Sequence, residues 1–162
     1  MNTTKQVRQR PHGLSRWLFR LPILLYRLGL GWLMGGRFLL LTHTGRKTGL
    51  PRQTVLEVVD HEQDTDTYYV AVGFGPKTDW YRNLLKTPQA TIQVKRRQLA
   101  VIADPLTPEA SGTAMVDYAH RHPAAALNLS RLLGYQVHQG SAEEYRRVGR
   151  ELVQFVALRP TL

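Results

Sequence analysis

Three cations crowd one short glycine-bounded stretch: Arg46, Lys47 and Arg52 surround Gly45 and Gly49 in THTGRKTGLPR, residues 42–52. Glycine adopts backbone conformations that other residues resist, so amide N–H groups in such a turn can point outward at an anion. An arginine grips a phosphate or carboxylate with a planar fork, and a lysine adds a mobile point charge. The chemistry available to this group is anion capture.

Three kinds of anion come into question. The phosphate loop of nucleotide hydrolases requires glycine directly before the lysine and another five residues earlier. Those positions hold Arg46 and Leu41, so that motif is absent. Single-strand nucleic-acid binders interleave cations with a platform of aromatic rings. Here Tyr68 and Tyr69 are adjacent in a strand-like run and face opposite sides, so no nucleic-acid partner is expected. A phosphate-bearing small molecule remains, and a second glycine pair, Gly73 and Gly75, would let backbone approach a flat ring closely.

The wider composition agrees with a localised anionic partner. The formal charge is +10, yet residues 1–60 hold ten Lys/Arg against two Asp/Glu and residues 61–162 twelve against ten. The excess is therefore an N-terminal property, which a generally basic surface does not explain. With 162 residues and 43% hydrophobic content the chain suits one domain with a real core. Cysteine is absent, which excludes disulfides, thiolate metal sites and cysteine nucleophiles, and fits a reducing cytoplasm.

The elements that must position the cations are mostly strands. Short apolar or alternating runs predict strands over residues 38–42, 54–59, 67–72, 90–94, 98–102 and 152–158, with 60–66 as a turn. Lys95, Arg96 and Arg97 would form a basic hairpin tip. Thr78 or Asp79 opens a short helix that Thr87 and Pro88 end. Further helices start at Thr107–Glu109 and at Pro123, and a Ser141–Glu144 capping box opens the last. This order lacks steady strand–helix alternation. The expected fold class is α+β, a mostly antiparallel six-stranded sheet curled into a small barrel with flanking helices. The anion turn then joins two strands and sits at the barrel rim.

Residues 1–36 form a separate basic segment ahead of the barrel at 37–162. Arg16, Arg20 and Arg27 fall within roughly 40° of one another at the helical period, and leucines and Trp17 cover the other faces. No alanine precedes Ala71, so an Ala-x-Ala cleavage site is missing. No window offers the about 20 nearly charge-free apolar residues of a membrane span. A cytoplasmic chain is expected, whose amphipathic helix either covers the core or lies at the inner face of a membrane.

Residues 38–52, FLLLTHTGRKTGLPR, and 79–88, DWYRNLLKTP, together resemble the deazaflavin-dependent nitroreductase family, both in order and at compatible spacing. The resemblance runs from about residue 36 to the end. It implies a split β-barrel and a reduced 8-hydroxy-5-deazaflavin, coenzyme F-420, whose phosphodiester and polyglutamate tail supply the anion. By matching positions, Arg46, Lys47, Thr48, Gly49 and Arg52 would hold the tail region. Ala71, Gly73 and Phe74 would lie along the ring, Thr54 and Leu56 beneath it, with Trp80 and Asn83 completing the pocket. Glu57 and the short loop 73–78 depart from the family pattern at the ring.

The activity so implied is hydride transfer to a small-molecule electron acceptor, a quinone or nitro-aromatic, stacked on the ring beneath the N-terminal helix or the segment around Tyr118 and Tyr135. The cofactor carries the reactive chemistry, so no catalytic side chain is required. No acid–base pair or triad is visible, and His120 with His122 reads as a solvated helix end, not a metal site. His43 reads as a turn residue. An FMN enzyme on a similar barrel and a non-catalytic cofactor or lipid carrier are the alternatives.

Overall fold

A computed structural model of the chain describes positions 23, 28, 31–73 and 75–162. Phe74 and most of the expected N-terminal helix lie outside the described residues. Gly31–Arg37 forms 3-10 turns broken at Gly35 (φ 61°), so a continuous helix does not run into the first strand. No helix among the described residues is long and apolar enough to cross a membrane.

Seven strands build one wholly antiparallel sheet: β1 (Phe38–Thr44), β2 (Pro51–Glu57), β3 (Asp60–Glu62), β4 (Thr67–Val72), β5 (Gln89–Val94), β6 (Arg97–Pro105) and β7 (Gln154–Pro160). Their spatial order is β2-β1-β5-β6-β7-β4-β3, and the sheet curls until β2 touches β4. The helices are α1 (Asp79–Lys86), α2 (Pro108–Arg121), α3 (Pro123–Leu132) and α4 (Ala142–Glu151). The expected curled antiparallel barrel with edge helices is the observed architecture.

Two differences have physical causes. The sheet has seven strands where the sequence suggested six, because Asp60–Glu62 pairs with β4. Its residues are polar because it is an edge strand, and cross-strand contacts replace core burial: the His61 ring stacks on Tyr68 with centroids 4.0 Å apart. The second strand starts at Pro51, three residues early, since proline is tolerated on an edge. Arg52 is consequently a strand residue opposite His43, not part of a loop.

Strand alternation divides the core in two. Leu39, Leu41, Ile92, Val101, Val156, Leu158, Val70 and Val72 fill the concave side, closed at one end by Trp80, Tyr81 and Leu84 of α1. On the other side Phe155 and Val153 pack against Met115, Val116, Tyr145 and Val148 of α2 and α4. The Thr107 side chain accepts from Ala110 N–H (3.2 Å) ahead of Pro108, the expected N-cap. Ser141 accepts from Glu144 N–H (3.2 Å), but Glu144 turns its carboxylate to the N–H groups of His138, Gln139 and Gly140, pinning the loop before α4 and holding its own pKa down.

Candidate functional site

Between β1 and β2 the chain makes a single helical turn. Gly49 N–H donates to Gly45 O (2.8 Å), and Gly45 N–H donates to Leu50 O (2.8 Å). Gly49 has φ 70°, the left-handed conformation that terminates such a turn. Gly45 is tight for another reason: a Cβ there would lie 2.9 Å from Thr48 Oγ1. As at the start of any helix, the leading N–H groups have no partner within the turn. Among the described residues, those of Lys47 and Thr48 donate to no internal acceptor, and both side chains are exposed.

The short amphipathic helix α1 anchors this turn from below. Trp80, Tyr81, Asn83 and Leu84 are buried, so one face plugs the barrel end. Thr78 occupies the N-cap position as expected, but its side chain makes no capping bond, and its hydroxyl donates to Gly75 O (2.7 Å). Asn83, 4% exposed, is fully engaged. Its Oδ1 accepts from Arg46 N–H (3.1 Å) and Arg46 Nη1 (2.9 Å). Both of those are obligate donors, so the amide NH2 must face His43 Nδ1, 3.1 Å away. That nitrogen is therefore unprotonated. Arg46 Nη2 also pairs with Asp79 Oδ1 at 3.0 Å, and Lys86 Nζ donates to Arg46 O at 2.8 Å.

His43 is the residue that sequence reading misplaced. It lies inside β1, not in the turn, and is 6% exposed. Burial, with the Arg52 guanidinium across the strand pair, lowers its pKa from 6.5 to about 4, against a weaker opposing influence from Asp79. Unfolding exposes the ring and lets it take up a proton. Its contribution is thus fully present above about pH 6.5 and lost as pH falls towards 4. We expect at most about 3 kcal/mol of acid destabilisation from this group. Denaturation midpoints measured from pH 7 to 4 should fall more gently in His43→Gln, and parallel curves would refute the assignment.

The expected site residues separate into groups. Arg46, Lys47, Thr48, Gly49, Arg52, Trp80 and Asn83 come together at this corner, but Arg46, Trp80 and Asn83 face inward while Lys47 and Arg52 are exposed. Among the described residues neither Lys47 nor Arg52 forms an ion pair. Thr54 and Leu56 are half-buried opposite Leu41 and Leu39, on the concave face. Ala71 packs on the opposite, helix-covered face, and Gly73 follows β4 with Leu132 nearby. Tyr118 is buried in the helix layer, where it is a packing residue. His120 and His122 are exposed at the end of α2, as expected, and no cluster of metal-ligating side chains occurs among the described residues.

A sequence model of F420H(2)-dependent quinone reductase matches residues 27–129, well over half of the chain. Solved structures share the fold at low identity. An F420-H2 dependent reductase, FDR-A, is 22% identical with TM-score 0.52, covering 76% of this chain and 94% of its own. A pyridoxamine 5'-phosphate oxidase-related, FMN-binding protein from Nostoc punctiforme is 14% identical with TM-score 0.52, covering 91% and 82%. The heme storage protein HutZ from Vibrio cholerae is 14% identical with TM-score 0.52, covering 85% and 91%.

Proposed function

This chain belongs to the F420H(2)-dependent quinone reductase family, and on that premise we propose that it transfers hydride from reduced coenzyme F420 to a flat, electron-poor acceptor such as a quinone. It is an oxidoreductase with coenzyme F420 as its cofactor. The observation that carries the site assignment is the pairing of two exposed cations, Lys47 on the constrained turn and Arg52 on the strand that follows it, with the Lys47 and Thr48 N–H groups, which donate to no acceptor among the described residues. That donor set fits a phosphodiester or carboxylate: backbone amides and an arginine fork supply direction, and lysine supplies charge.

The reduced coenzyme supplies the hydride when bound. The chain's own residues orient it. Lys47, Thr48, Gly49 and Arg52 hold the anionic handle at the barrel rim, fixing the distance from rim to ring. Thr54 and Leu56 would line the ring from the concave surface, beside the seam where β2 meets β4, whereas Ala71 faces the helix layer and would not touch it. Gly73 leaves that seam open to backbone approach. No nucleophile or proton shuttle is needed for orientation of this kind. The N-terminal basic segment is a candidate cover for the ring, or a contact with an anionic membrane surface that supplies an apolar quinone.

An absorbance titration of the purified protein with F420 tests the assignment directly. Micromolar affinity supports it, and a dissociation constant no tighter than millimolar overturns it. Lys47→Ala and Arg52→Ala should each weaken binding about 10- to 100-fold, the loss of one charge-assisted hydrogen bond of roughly 1.5–3 kcal/mol. Unchanged affinity in both would empty the corner of its role. Comparing quinone and nitro-aromatic turnover sorts the acceptor. Protein that purifies yellow would instead favour an FMN enzyme, a cofactor that the Nostoc neighbour with this fold binds.

A further inference from the structure

Arg46 sits in the middle of the cationic run, yet its guanidinium is turned away from solvent. Its side chain is only 18% exposed, against 60% for its partner Asp79. One arm of the fork reaches Asn83 Oδ1 and the other reaches Asp79 Oδ1, while the backbone N–H of the same residue uses Asn83 Oδ1 as well. Its carbonyl receives Lys86 Nζ. Each of these tethers ends on α1. Behind Asn83, the bare Nδ1 of His43 fixes which end of the amide faces Arg46. An anion approaching from solvent would have to break a charged pair to reach this guanidinium, whereas Lys47 and Arg52 are exposed beside it.

Given the reading that this corner holds the coenzyme's anionic handle, we propose that Arg46 is a positioning residue and not a ligand: the chain His43–Asn83–Arg46–Asp79 clamps the 45–49 turn onto α1 and thereby presents the Lys47 and Thr48 amides. The cations of the run then divide their work. Arg46 holds the turn from inside and the two exposed cations hold the anion from outside. Fixing a loop before binding removes the cost of ordering it at the moment of binding.

Two conservative variants separate the roles. Arg46→Lys keeps the charge and loses the planar fork; Asp79→Asn keeps the side-chain shape and loses the carboxylate charge at an exposed position. Amide hydrogen exchange of residues 46–50 in the coenzyme-free protein is read alongside F420 affinity. A clamp gives faster exchange in both variants, binding weakened about tenfold in Arg46→Lys and about fivefold in Asp79→Asn. A direct ligand gives the opposite signature: unchanged exchange, retained binding in Arg46→Lys, and tighter binding in Asp79→Asn because a competing carboxylate is gone. Any one of those three results overturns the proposal. The exchange arm needs no coenzyme, so failure of wild-type protein to bind F420 would count against the functional reading, while the exchange data still decide whether Arg46 clamps the turn.

Discussion

Asn83→Leu is expected to destabilise the folded chain by about 3 kcal/mol. The two side chains have similar volume, so no large cavity forms, and the new leucine would sit beside Trp80 and Leu84 on the buried face of α1. Burial of its apolar surface contributes roughly 1–2 kcal/mol in the opposite direction. Against that gain, two groups lose their partner at once, His43 Nδ1 and the Arg46 N–H, while Arg46 Nη1 is left with only its longer 3.5 Å contact to Asp79 O. Each orphaned buried polar group costs about 1–3 kcal/mol, so the loss wins. Urea denaturation should show a lower midpoint at unchanged slope. His43→Leu added to Asn83→Leu should recover part of the loss, because removing both partners leaves fewer unsatisfied atoms. A single variant within 0.5 kcal/mol of wild type, roughly the range of a neutral surface change, would mean that water already serves these groups.

That network also marks where the sequence was legible and where it was not. The cationic turn could be read directly, because glycine spacing and charge are local properties. The barrel was readable from short apolar, β-prone runs bounded by turn residues, such as TYYVAV at 67–72. Asp60–Glu62 was hidden because an edge strand with no core face carries no such pattern. The division of labour within the turn was hidden more deeply. Nothing in the composition of residues 45–52 distinguishes Arg46 from Lys47. What decides is Asn83, thirty-seven positions along the chain, brought close by the docking of α1. His43 did leave a signal: it shares parity with Leu39 and Leu41, both fully buried, so period-two alternation alone aims it inward. The adjoining turn residues masked that pattern. Ala71 and Thr54 illustrate a different limit, since motif matching assigns both to one ring, whereas strand parity in the sheet assigns them to opposite faces.

The helix layer gives a prediction of similar size and independent of the corner. Gly149→Ala in α4 is expected to cost about 3 kcal/mol, although alanine is the better helix former by about 1 kcal/mol. Gly149 lies where α4 crosses α2, and an added Cβ would fall 2.7 Å from Gly112 Cα and 2.7 Å from Met115 Cβ, and against Ser111 O. Most of that contact is with backbone or Cβ atoms of a helix, which cannot swing aside as a flexible side-chain tip could. Gly112 is equally confined, since its own Cβ would meet Arg146 O at 3.0 Å. The helices must part, and Met115 and Val148, both fully buried beside the crossing, lose packing with them. The steric cost exceeds the propensity gain because it is distributed over the whole interface. The melting temperature should drop by about 6–12 °C. F420 affinity of the folded protein should stay within twofold of wild type, since the crossing packs on the sheet face opposite Leu41 and Thr54. A stable Gly149→Ala protein would show that the two helices have room to spare. A destabilised one with weakened coenzyme binding would show instead that the helix layer sets the shape of the barrel rim.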